Sequence, residues 1–259
     1  MKAQSTKRYM PPMGVFSLTG GAGIAYYMGD LRAGKINRHL GLGPSISVGA
    51  LYRLTEHLSA RGEVRFYQVS AHQKYTPNYQ KNLSFRTRNP DLNIGIQADL
   101  FAYNRHEKIN PYLFGGVGVT YMTPKAELDG KWISLAPLQT EGVKYSRLPL
   151  VFMAGGGISA QVVERWSIGM ELCNNFMNSD YLDDVSTVYP SDAMLSSDMA
   201  RRLSDRSSEI GAAKQEPGWH RGSPGRKDMY LFLQFRVNYL IGTKKEAHER
   251  RNVRTPRLK

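Results

Sequence analysis

A single cysteine, Cys173, among 259 residues leaves no partner for an internal disulfide. Long hydrophobic runs are missing as well. The most apolar stretch, LPLVFMAGGGISAQVV from Leu148 to Val163, is too short for a bilayer-crossing helix and is broken by Gly155, Gly156 and Gly157, which excludes a transmembrane helix. The mean hydropathy of -0.44 speaks against a polytopic helical protein. It does not speak against a membrane β-barrel, whose signal is alternation. The first ten residues, MKAQSTKRYM, contain no apolar segment, so no signal peptide is visible and the compartment has to be read from the fold. Acidic residues are scarce: 35 Lys and Arg against 22 Asp and Glu give 35 − 22 = +13. The basic residues are spread through the chain without a recognition motif, so no nucleic-acid partner is expected. His39, His57, His72, His106, His220 and His248 show no metal-ligand spacing, and no metal or cofactor is expected.

What is present is period two. Eight segments place apolar residues on one parity and small or polar residues on the other. Leu58, Ala60, Val64 and Phe66 face away from Ser59, Arg61, Glu63 and Arg65; Leu92, Ile94, Ile96 and Ala98 face away from Asn93, Gly95, Gln97 and Asp99. The remaining segments run about Val15 to Tyr27, Pro44 to Leu54, Pro111 to Met122, Leu150 to Val162, Trp166 to Cys173 and Asp228 to Ile241.

Short connections (Thr55–His57, Asn104–Asn110, Val163–Arg165) alternate with long ones (Met28–Leu42, Ala71–Pro90, Thr123–Arg147, Asn178–Lys227). That alternation predicts an all-β, eight-stranded antiparallel transmembrane β-barrel with its long loops on one rim and both ends of the barrel on the other. About ten residues per strand, rising ~3.3 Å each at a tilt of ~40°, cover roughly 25 Å of apolar height. A lipocalin-like barrel would alternate equally well with its apolar face inward. The polar parity favours the membrane barrel, because it is mostly Gly, Ser, Thr, Asn and Gln. Its charges balance, Arg61, Arg65 and Arg236 against Glu63, Asp99 and Glu171. An eight-stranded barrel has an interior that side chains just fill, so these six predict a salt-bridged plug and not a pore. Tyr26, Tyr52, Tyr121, Trp166 and Tyr239, near segment ends, are candidate interfacial aromatics. The organisation expected is an extension over 1–12, a barrel over 13–242 and a basic tail over 243–259.

No catalytic constellation emerges, so an enzyme and a small-molecule substrate are not expected. Asp180, Asp183, Asp184 and Asp192 lie close together in sequence, but not at EF-hand spacing, and no histidine is near enough to serve Ser186 or Ser191 as a base. Turn formation and loop capping account for such residues. The tail from Gly242 holds seven basic residues and two acidic ones, 7 − 2 = +5, suited to anionic lipid or an acidic partner.

YYMGDL (Tyr26–Leu31), PYLFGGVGVTYMTPKAELDGKWISLAPLQTEG (Pro111–Gly142), YLDDVSTVYP (Tyr181–Pro190), DRS (Asp205–Ser207) and the closing RGSPGRKDMYLFLQFRVNYLI resemble the family of Bacteroidota outer-membrane β-barrels that includes PorG. The resemblance spans about Val15 to Ile241, and the Tyr181, Leu182, Asp183, Asp184, Val185 loop is its specific part. It implies a non-enzymatic component of the type IX secretion system in the outer membrane, contacting outer-membrane lipid and a periplasmic ring of PorK and PorN type. On that reading the ring contacts would be residues of the short turns and tail: Glu56, His57, Arg105, His106, Glu164, Lys244, Lys245, Arg250 and Arg251. The competing expectation is a small OmpA- or OmpX-like surface barrel, acting as an adhesin or structural protein through its long loops.

Overall fold

The computed structural model describes residues 14–31, 41–102, 108–163, 165–223 and 225–241, with only the backbone of Tyr75. Its strands are β1 (Phe16–Met28), β2 (Gly43–Arg53), β3 (Leu58–His72), β4 (Ser84–Asp99), β5 (Ile109–Thr120), β6 (Lys125–Leu128), β7 (Lys131–Ser134), β8 (Leu150–Val163), β9 (Trp166–Met177) and β10 (Met229–Ile241). Eight of them form a ring in the order β1-β2-β3-β4-β5-β8-β9-β10, every neighbour antiparallel. β1 pairs with β10 from Phe16 opposite Ile241 to Met28 opposite Met229, which closes the barrel and leaves the ring without a free edge. β6 and β7 form a hairpin that extends the wall beside β4. No helix among the described residues is long and apolar enough to cross a membrane; strands make the crossing.

The direction of the alternation decides between the two kinds of barrel. Val48, Ile94, Leu113 and Phe235 point outward and are 62%, 64%, 70% and 64% exposed. With Phe16, Leu18, Ile46, Leu92, Phe152, Ile168 and Leu172 they form a continuous apolar belt. A surface of that kind is stable against hydrocarbon and not against water, so the barrel is a transmembrane one and the inward-apolar alternative is excluded. Tyr52, Trp166 and Tyr239 sit at the short-turn edge of this belt, Trp166 and Tyr239 with ring centroids 4.8 Å apart. Tyr26 and Tyr121 sit toward the long-loop edge.

Toward the long-loop rim the pattern inverts. Through Phe66 the apolar residues of β3 face out; beyond it Tyr67 and Val69 face in and are buried, while Gln68 and Ser70 face out. The same inversion puts Phe85 inside and Arg86 and Arg88 outside on β4. Above the membrane the outer surroundings are water, so the wall adopts the ordinary apolar-in, polar-out pattern of a protein in water. This corrects the expected loop over 71–90. The strands run on to His72 and begin again at Ser84, and the change of the apolar residues to the inner face hides this continuation from an apolar-outward alternation. The loop expected over 123–147 contains the β6–β7 hairpin. That over 178–227 contains a helix, α1 (Asp198–Ser204), capped by the Ser197 hydroxyl accepting from the Ala200 N–H and buried through Ala200 and Leu203.

The upper lumen is consequently an apolar core of Tyr27, Leu31, Tyr67, Val69, Phe85, Met177, Tyr230 and Phe232, into which Leu182, Val185 and Leu203 of the long loop insert. Gly155 and Gly157 are required lower down. A Cβ on Gly155 would stand 2.4 Å from the Phe114 ring and one on Gly157 2.6 Å from the Tyr112 ring, so the glycines seat these aromatics flat across β8.

Candidate functional site

Two charged regions stand out, a plug within the lumen and a cap on the long-loop rim. The plug is built by parity. Arg61, Glu63 and Arg65 on β3, Glu171 on β9 and Arg236 on β10 all point inward and are buried. Arg61 donates to both Glu171 oxygens at 3.2 and 3.1 Å and to Glu63 at 3.2 Å. Arg65 donates to Glu63 Oε1 through Nε at 3.1 Å and Nη2 at 2.7 Å. Arg236 Nη1 lies 2.7 Å from Glu63 and 3.4 Å from Glu171, and its Nη2 donates to Thr19 at 2.8 Å. The guanidinium planes of Arg61 and Arg65 stack on Phe114 and Phe232 at 4.0 and 4.1 Å.

Five of the six plug residues read from the sequence therefore meet. The sixth, Asp99, is also inward, buried and ion-paired, but at the short-turn end and not in the central cluster: Arg53 pairs with it and Gln97 donates to it at 2.8 Å. Its place in the central cluster is taken by Asp91, 3.7 Å from Arg65 and accepting from the Tyr230 hydroxyl at 3.2 Å. Asp91 shares its parity with Asn93, but it fell next to residues read as loop. With it the cluster balances, three guanidiniums against three carboxylates, 3 − 3 = 0. Burying these ions carries a large desolvation cost that mutual pairing offsets. At this level the lumen is crossed by these buried ion pairs.

The cap is assembled from sequence-distant segments. Tyr27, at the upper end of β1, donates to Asp183 at 2.5 Å and lies 3.1 Å from Asp228. Asp183 also accepts from the Val185 N–H at 2.9 Å and Asp228 from the Leu182 N–H at 2.9 Å. Burial and the neighbouring carboxylates push Asp183 and Asp228 well above the ordinary carboxylate range. Asp184 has a left-handed backbone, φ 65°, and accepts from the Thr140 hydroxyl and, at 2.6 Å, from the Tyr145 hydroxyl. Burial raises its carboxyl to about 6, against the pull of Arg221. Asp180 accepts from Ser186 at 2.9 Å and is raised by burial to about 7.

Arg221 is the buried clamp of this region. It donates to Glu141 at 3.2 Å, to the Ser204 carbonyl at 3.0 Å and to the Asp184 carbonyl. Glu141 in turn accepts from the Ser186 N–H at 2.9 Å and the Thr187 hydroxyl at 2.8 Å. Asp30 accepts from the Ser223 N–H at 2.6 Å, and Arg206 donates to Ser84 at 3.2 Å. Lys81 donates to the His220 carbonyl at 2.7 Å. The long loops are thus tied to one another and to the barrel mouth.

Sequence reasoning singled out Tyr181–Val185 and missed Tyr27, Glu141, Arg221 and Asp228. All four lie inside the other segments that carried the family resemblance, and those segments converge here. The aspartates form no catalytic pair with a histidine, and among the described residues no group of three His, Cys, Asp or Glu could hold a metal ion. Their carboxylates are instead engaged by hydroxyls, amides and Arg221.

Of the expected ring contacts, Glu56 and His57 lie in the turn between β2 and β3, His57 exposed with its Nδ1 2.9 Å from the Asp99 carbonyl. Arg105, His106, Glu164, Lys244, Lys245, Arg250 and Arg251 lie outside the described residues, as do the extension over 1–12 and the tail over 243–259.

No protein-family model matches the chain, and no curated protein does. Among solved structures the chain is similar to Neisserial surface protein A, at 12% identity and a TM-score of 0.46, over 86% of this chain and 96% of that one. It is similar to the outer membrane protein OprG of Pseudomonas aeruginosa, at 10% identity and a TM-score of 0.45, over 90% and 99%. The attachment invasion locus protein Ail of Yersinia pestis aligns at 10% identity and a TM-score of 0.43, over 88% and 99%.

Proposed function

We propose that the chain is a non-enzymatic outer-membrane barrel, closed to ions, that works as a surface or structural protein through its long-loop cap. The observation that carries this reading is the pairing of a filled lumen with an ordered rim: the plug leaves the barrel no transport role, while the cap is held by a buried clamp and presents a fixed outer surface. Closed barrels with an apolar belt, short turns on one rim and long loops on the other belong to outer membranes. The test is twofold. In planar bilayers the reconstituted protein gives no discrete conductance steps, and on intact cells trimming the exposed part of the cap between Asp192 and Trp219 abolishes surface attachment while the barrel remains in the membrane. Stepwise conductance in the wild type would overturn the closed-barrel reading.

A second reading, the type IX secretion component that contacts a periplasmic PorK/PorN-like ring, is favoured by one observation. The segments resembling that family meet in space as one keystone, with Asp183 and Asp184 at its centre. Deletion separates the two: a secretion component loses export of signal-bearing proteins and co-purifies with ring proteins from detergent-solubilised membranes, whereas a surface barrel leaves export intact and purifies alone.

A further inference from the structure

We propose that the outer wall formed by β2, β3 and β4 is a seat for one phosphorylated lipid of the outer leaflet, its acyl chain in an apolar groove and its phosphate on Arg86, Arg88 and Lys125. The inference rests on the outer-membrane reading above, with the long loops outside. The β2–β3 ladder ends at Ser45 opposite Tyr67, whereas the β3–β4 ladder continues to His72 opposite Ser84. Beside that mismatch lies a groove of about 390 Å³, walled by Pro44, Ile46, Phe66 and Pro90 and bounded by Gln68 and Arg88. Its apolar part belongs to the upper edge of the belt, where Ile46 is 59% and Phe66 54% exposed, so it faces lipid.

The charge above the groove is mostly positive, three cations against Glu127. Arg88 is held by its Nε donating to Gln68 at 2.7 Å, which leaves its terminal nitrogens for another acceptor. Arg86 stands directly opposite Lys125 across the β4–β6 pairing, a like-charge neighbourhood that is unfavourable without a counter-anion. Its guanidinium stacks on Trp132, 3.5 Å from the ring centroid, which fixes its plane. None of the three is in an ion pair with a carboxylate among the described residues. Glu127, on the same face of β6 as Lys125, sits opposite Trp132 and makes no ion pair with them. The cations of the cap behave differently: Arg201, Arg202, Arg206 and Lys214 each have a carboxylate partner. Cations without carboxylate partners above an apolar groove, with the Trp132 indole under the Arg86 guanidinium, match the phosphate, interfacial and acyl regions of an anionic lipid.

The test is native mass spectrometry of the full chain released from detergent micelles and titrated with bis-phosphorylated lipid A. One retained lipid A is expected. The Arg86→Gln/Arg88→Gln/Lys125→Gln variant should weaken it by about tenfold or more, as loss of several charge-assisted contacts requires. Ile46→Trp, which fills the groove and keeps the cations, should weaken lipid A as well. Heat-modifiable gel migration verifies that each variant is folded. Equal retention by wild type and the triple variant overturns the proposal. So does equal retention of zwitterionic phosphatidylethanolamine, displacement by inorganic phosphate alone, or a dimer in place of the lipid adduct. Failure of the wild type to insert into vesicles would refute the membrane reading itself; insertion without lipid A preference refutes only the seat.

Discussion

The lumen plug and the loop cap both bury charge, and they differ in how the charge is brought together and neutralised. In the plug, formal charges cancel: three arginines face three carboxylates across the barrel, each held by a strand whose neighbours fix its register. In the cap, carboxylates outnumber their one buried cation. Glu141 and Asp184 flank Arg221, whereas Asp183 and Asp228 gather on Tyr27 and Asp180 on Ser186, so much of the neutralisation falls to hydroxyl and amide donors and to protons retained by the raised carboxyls. The plug depends on the ladder and the cap on loop contacts, so damage to the first is felt throughout the barrel and damage to the second stays at the rim.

Removing a plug carboxylate tests this contrast most severely. Glu63→Leu deprives Arg61, Arg65 and Arg236 of a shared partner and should cost about 3–5 kcal/mol, the range for stranding buried charge. The cost should appear as a lower urea midpoint for the whole barrel in lipid vesicles; an unchanged midpoint would mean that water enters the lumen and screens the cluster. Arg221→Leu should cost about 3 kcal/mol, but locally. Limited proteolysis should cut within residues 178–228 while the barrel keeps its heat-modifiable migration, and global unfolding at the wild-type denaturant dependence of this variant's barrel would sharpen the distinction further.

A smaller effect is expected from pH. A carboxyl whose pKa is raised on folding keeps a proton that the unfolded chain has lost, so it opposes folding above its folded pKa and ceases to do so below its unfolded one. With Asp184 raised to about 6 and Asp180 to about 7, the cap should become tighter as pH falls from about 7 toward about 4. Hydrogen exchange of residues 178–190 at the two ends of that window checks the sign, and slower exchange at the higher pH would contradict it. The smallest effect belongs to the surface of the cap. Arg202 pairs with Asp129 at 3.0 Å with both side chains largely exposed and screened by water, and Arg202→Ala should leave the urea midpoint of the barrel unchanged.

How much of this was legible differs between the regions for a physical reason. The plug could be read from parity, since a strand residue's side is fixed by counting and alternate positions of β3 from Arg61 to Arg65 carry charges. Asp91 escaped because Pro90 and the inverted pattern above it looked like loop, although the chain stays in the ladder there. Asp99 was placed by the correct parity and the wrong depth: counting gives the side of the wall, and only cross-strand register gives the height. The cap was visible as a motif, Tyr181–Val185, without its partners. Nothing in local periodicity links Tyr27 to Asp183 or Glu141 to Arg221.

The sequence by itself determined the eight membrane-crossing strands, the alternation of short and long connections and the inward side of Arg61, Glu63, Arg65, Glu171 and Arg236, because each is a local property of a chain with period two. Only the tertiary structure decided that the apolar face points outward, that Asp91 and not Asp99 completes the plug, and that the long loops close into a cap. The first was only favoured by the composition of the polar parity, and the others depend on contacts between residues far apart in the chain, such as Tyr230 with Asp91 and Tyr27 with Asp183, which no local pattern encodes.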